Sequence, residues 1–166
     1  MSFLTKLNRL TSMFGGNRNF IPGQVLWVEE VTVAGAGTTS DPTTYTTTGS
    51  DITIPSHKVD QCSKILVMHA GSCRIDQATY TFSQWRIERT APSTAEGGNI
   101  GLGTADANDV PEVYHNTHMF WVDDDLTKGS DHTYRAVFRN YGGNGIYAGN
   151  IYYKDGGTVM TCFGLA

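Results

Sequence analysis

The residues best suited to chemistry are concentrated in "WVDDDLTKGSD", residues 121–131, where Asp123, Asp124, Asp125 and Asp131 fall beside Gly129. Carboxylates this dense could coordinate calcium, act as acid and base, or close a turn by bonding their own backbone. An EF-hand needs oxygen ligands at alternate positions through about twelve residues and a closing Glu. The run has neither. Asp123, Asp125 and Asp131 therefore form only a weak candidate metal set, and a solvated loop between two strands is the expected role.

The other candidates carry less. His115 and His118 form an HxxH pair, but residues three apart on a strand point to opposite faces. His69 sits inside the apolar run "KILVMHAG" and is expected in the core or at a subunit interface, with its nitrogens hydrogen-bonded. Glu88 and Glu96 are the carboxylates a glycosidase reading would pair, although nothing in their spacing selects them. No GxSxG elbow is present, and "YGGNGIYAGN" opens no helix, so its glycines read as turn and bulge residues. Cys62, Cys73 and Cys162 are odd in number and lack CxxC spacing, which suits three buried thiols; a Cys62–Cys73 disulfide stays open. The expectation is a protein without enzymatic activity or cofactor.

The elements that must position these residues follow from composition and period. At 166 residues the chain suits one domain with an arm, and 17% charged residues with 19 Gly and 8 Tyr suit strands and turns. A net charge of −4 with scattered basic residues leaves no electrostatic footprint for nucleic acid. No stretch approaches the roughly 18 apolar residues of a membrane span. The opening "MSFLTKLNRLTSMFGG" lacks the apolar core and cleavage site of a signal peptide. A soluble protein made in the cytoplasm, with neither nucleic acid nor membrane as partner, is expected.

In the first residues, Phe3, Leu7, Leu10 and Phe14 recur at the spacing of one helical stripe. Such a short helix is unstable alone in water and needs a partner, which these four residues would contact. "GGNRNFIPG" reads as a linker, giving an anchoring arm at residues 1–23 and a β-sandwich at 24–166.

From Gln24 the period changes to two. "QVLWVEEVTV" can place Val25, Trp27, Glu29, Val31 and Val33 on one face, and "TTYTTT" and "DITI" follow. "KILVMHAG", residues 64–71, is nearly continuously apolar and predicts a central strand buried on both faces. "ATYTFSQWRIERT" alternates, a loop is expected from Ala91 to Asn99, and "HNTHMFWV", "HTYRAVFRN", "GIYAGNIYY" and "GTVMTCFGLA" complete the series. About eight or nine short strands with turn chemistry between them predict an all-β antiparallel sandwich or jelly roll. Tyr147, Tyr152 and Tyr153 crowd the last third and suit either a subunit interface or the intrachain core.

From "SKILVMHAG" onward the chain resembles the small structural proteins of tailed phages, especially marine and cyanobacterial ones. The shared features are the "SKILV" strand, an Arg-bearing strand ("FSQWRIERT"), a GxG segment ("IGLGTAD"), an acidic turn into "TYRAVFR", and a "DGGT" turn before a last apolar strand. The chain departs from that pattern in its closing "VMTCFGLA" and its longer "HNTHMF" region. The resemblance implies a jelly roll similar to the tumour-necrosis-factor or complement-globular-head type, assembling as a homotrimer on the virion. Tyr147, Tyr152 and Tyr153 are then the candidates for the trimer interface, and Phe3, Leu7, Leu10 and Phe14 for contact with the major capsid protein, another virion protein or sister subunits. The function implied is capsid decoration (cement). A fibre, collar or tail component carrying a receptor-binding head is the alternative, and a lectin-like carbohydrate-binding module a second one.

Overall fold

The computed structural model of the protein describes residues 23–33, 38–39, 43–76, 82–103, 112–140, 150–153 and 158–166. Phe3, Leu7, Leu10, Phe14 and Tyr147 lie outside these residues.

The described chain is an all-β, antiparallel sandwich of two sheets. Its strands are β1 (Val25–Val33), β2 (Thr38–Thr39), β3 (Thr46–Thr47), β4 (Ile52–Ile54), β5 (Lys64–Asp76), β6 (Phe82–Ala91), β7 (Ala95–Gly103), β8 (Glu112–Asp123), β9 (His132–Asn140), β10 (Asn150–Tyr153) and β11 (Thr158–Leu165). One four-residue helix, α1 (Ser56–Val59), follows Pro55. Sheet A runs β1-β11-β5-β10-β2, with β8 also paired to β5; sheet B runs β3-β9-β6-β7, with β4 also paired to β9.

The central position of "KILVMHAG" is a consequence of strand length. At 13 residues β5 is long enough for β8 to occupy one edge throughout, while β11 and β10 share the other edge end to end. Its period of two drives Ile65, Val67, His69 and Cys73 into the interior. Burial on both faces does not hold within one chain: Lys64, Met68 and Ala70 are exposed. No second layer of the described chain covers that side.

The opposing sheet supplies Trp85, Ile87, Tyr134, Ala136 and Phe138, all buried. Trp85 stacks on Phe138 with ring centroids 4.7 Å apart, and its Nε1 donates to Ser83 Oγ at 2.9 Å. Removing such a ring costs about 3–5 kcal/mol through lost burial and the cavity left behind.

Two further expectations are corrected. A strand, β7, occupies most of the expected Ala91–Asn99 loop; glycine stands at position 97 where Trp121 of β8 packs, and at position 98 where φ is 64° and the Phe120 carbonyl lies close. A register shift between Val25 and Trp27 turns Val25 outward, half-exposed, so it leaves the face shared by Trp27, Glu29 and Val31. The three cysteines are free and buried as expected, and the alternative left open, a Cys62–Cys73 disulfide, does not form. Burial pushes the Cys73 thiol up to about 12 and raises Cys62 and Cys162 as well.

Candidate self-assembly face and the acidic corner

The acidic run is the largely exposed loop joining β8 to β9, as expected, but it is tethered at several points and its first acidic residue is buried. Asp123 ends β8 at 2% exposure, and its Oδ2 accepts hydrogen bonds from Arg89 Nη1 and Tyr134 Oη, both at 2.7 Å. Its Oδ1 accepts the Asp125 backbone N–H at 3.3 Å. The equally buried Arg89 also donates to the carbonyls of Asp125 and Ser93 and to Ser93 Oγ. A buried charge pair is tolerable only when its remaining hydrogen-bonding capacity is filled, and here it is. Burial and the bond to Asp123 both raise the Tyr134 hydroxyl above its ordinary range.

The rest of the run is held as firmly. Asp131 Oδ1 accepts the Ser56 N–H at 2.7 Å, Gly129 N–H donates to Asp60 Oδ1, and Lys128 Nζ donates to the Val59 and Cys62 carbonyls. Gly129 adopts φ 74°, which favours glycine. His132 closes the corner: its Nε2 accepts from Thr127 N–H at 3.3 Å and its Nδ1 lies 3.1 Å from the Ser130 carbonyl, a pairing that suits the neutral ring. Burial lowers its pKa, and the Ser130 bond partly opposes that shift. Of the three candidate metal ligands, Asp123 and Asp125 turn to Arg89 and Asp131 to α1. Among the described residues no group of three or more His, Cys, Asp or Glu is placed to hold a metal ion.

The remaining sequence candidates disperse. His115 lies opposite Cys73 on β8, while His118, three residues on, is exposed on the other face. Glu88 and Glu96 do sit directly opposite each other across β6 and β7, but Arg86 pairs with both. Glu88 also receives Nε and Nη2 of Arg135 at 3.0 and 2.9 Å. Two carboxylates so engaged are not arranged as a free acid and a free base. Tyr45 lies over the guanidinium groups of Arg86 and Arg139, at 3.9 and 4.6 Å from its ring centroid. The outer face of sheet B is therefore largely polar and tied to itself, with Phe82 at the start of β6 its exposed apolar side chain. His69 is in the core as expected, and neither of its ring nitrogens has a hydrogen-bond partner among the protein groups.

The outer face of sheet A is its chemical opposite. Strand register places Val28, Phe163, Leu66 and Val122 in one row across β1, β11, β5 and β8; Glu30, Thr161, Met68 and Phe120 form the next outward-facing row. Val28 is 50% exposed, Met68 43%, Phe120 71% and Val122 44%, while Leu66 and Phe163 are half-buried. Lone exposed apolar side chains are ordinary; a contiguous block spanning four strands marks an interaction surface. The signal for it was in the sequence: both "KILVM" and "HMFWV" lack the apolar–polar alternation of a strand with one wet face.

Of the tyrosines expected at a trimer interface, Tyr152 and Tyr153 lie on β10, paired through the backbone with Arg74 and Cys73; their side chains are outside the described set. No helix among the described residues is long and apolar enough to cross a membrane. No known protein family matches the chain, and no curated protein matches it.

Proposed function

We propose that this protein is a non-enzymatic structural subunit of a tailed-phage virion, a homotrimeric capsid decoration protein whose sandwiches join through the outer face of sheet A. The single observation that carries this reading is the exposed apolar block of Val28, Met68, Phe120 and Val122 on strands whose sequence asks for cover on both sides. A second copy supplies that cover without any chemistry. The strand-order resemblance to virion proteins gives the assembly its setting.

In this reading sheet B, closed by its Arg86–Glu88–Arg135 network, looks to solvent. The arm at residues 1–23 docks through Phe3, Leu7, Leu10 and Phe14 on the major capsid protein or another virion protein. Area buried between neighbours then stabilises the shell by mass action, since each bound copy favours the assembled state.

The test is the position of the protein in purified virions, by labelling and electron microscopy. Label distributed over the capsid faces is expected. Label confined to the tail vertex sinks decoration in favour of a fibre or collar. Deleting residues 1–20 is expected to leave a folded trimer that no longer binds the particle; unchanged binding would remove the arm from the anchoring role.

A further inference from the structure

Away from the Arg89–Asp123 hub, the sandwich interior carries polar atoms that no protein group serves, His115 Nε2 among them. Thr158, Gly71 and Thr117 form an inward-facing row across β11, β5 and β8, one row beyond Met160, His69 and Met119. Thr117 and Thr158 are fully buried, and His69 is 2% exposed. Thr117 Oγ1, Thr158 Oγ1 and both ring nitrogens of His69 lack a hydrogen-bond partner.

Glycine at position 71 is what lets these groups converge. A Cβ there would stand 2.9 Å from Thr158 Cγ2, 3.2 Å from Thr117 Oγ1 and 3.3 Å from His69 Cε1. The facing sheet's Trp85, whose ring centroid is 6.2 Å from that of His69, is already committed: its Nε1 donates to Ser83. Four orphaned polar atoms on three neighbouring side chains would remove a large share of a domain's marginal stability, and native interiors satisfy such atoms with ordered water. A neutral imidazole offers one donor and one acceptor, and each hydroxyl one donor and two acceptor sites. Only a ligand that both donates and accepts in a small space serves all of them.

We propose that water is the ligand: at least one ordered molecule is an integral part of the core here, bridging Thr117, Thr158 and His69 beside Gly71. It satisfies the hydroxyls and holds the imidazole in one tautomer. This inference is independent of the virion reading.

Two measurements on the full chain test it. Diffraction at a resolution that shows ordered solvent is expected to place a water within hydrogen-bonding distance of at least two of Thr117 Oγ1, Thr158 Oγ1 and the His69 nitrogens. Direct pairing of these atoms with one another or with backbone, with no water between them, overturns the proposal. Thr117→Val keeps the shape and removes the hydroxyl; a fall in Tm of about 2–4 °C is expected as the water loses a partner. A rise in Tm would mean that the hydroxyl is buried dry, and would overturn the proposal equally.

Discussion

Arg89 Nη1 donates to Asp123 Oδ2 across 2.7 Å in the interior, tying the end of β8 to the end of β6 although the two residues are 34 apart in sequence. Tyr134 of β9 donates to the same oxygen, so one carboxylate joins both sheets. Asp123→Ala strands Arg89 without its counter-charge and is expected to cost about 3–5 kcal/mol in denaturant unfolding. Asp124, exposed and 3.9 Å from Lys64, is the control, with an expected effect within about 0.5 kcal/mol for Asp124→Ala. Equal losses in the two variants would contradict the hub. Calcium titration by calorimetry is expected to give no stoichiometric heat, because the Asp123 oxygens are already spent.

The buried histidines set the acid side of the stability profile. Burial, with a smaller contribution from His118, lowers the His69 pKa to about 4, and burial lowers His132 too. An unfolded histidine titrates near 6.5, so between about 6.5 and 4 the unfolded chain binds protons that the folded chain refuses. Stability is therefore greatest above about pH 6.5 and falls as pH drops to about 4, with roughly 3 kcal/mol from His69. Unfolding free energies measured across that window should show the slope, and His69→Gln should flatten it. A slope unchanged in that variant would remove His69 as its source.

Glycine in β7 separates packing from backbone preference. A Cβ at Gly97 would overlap the Trp121 indole, whereas Gly101 on the same strand has nothing within 4 Å of where its Cβ would lie. Gly97→Ala is expected to lose about 1–3 kcal/mol by overpacking, and Gly101→Ala to lose little. Thermal unfolding of the pair decides it, and equal stabilities would mean that Trp121 does not fill that space.

These residues also show what a sequence can disclose. The sandwich was readable because period-two patterning and turn residues are local signals, and strands such as β6 and β9 stand where they point. β7 was not, because "AEGGNIGLG" has the composition of a loop, and Gly97 makes sense only once Trp121 is brought against it. The partners of Asp123 were hidden for a related reason: Arg89 and Tyr134 reach it through strand register, which no local spacing encodes. The apolar run of β5 was read as buried on both faces, and only the inward one is: Lys64, Met68 and Ala70 are exposed. In the proposed trimer that outer face finds its cover on another copy instead of in the described part of the same chain.

The most direct test of that missing cover is sedimentation equilibrium of the full chain beside Phe120→Asp. Phe120 is 71% exposed, so the charge should leave the fold intact while disrupting a joint at the outer face of sheet A. A trimer for the parent chain and a folded monomer for the variant, with unchanged circular dichroism, is the predicted result. A parent chain that stays monomeric at every concentration, or a variant that trimerises as tightly as the parent, would contradict the account.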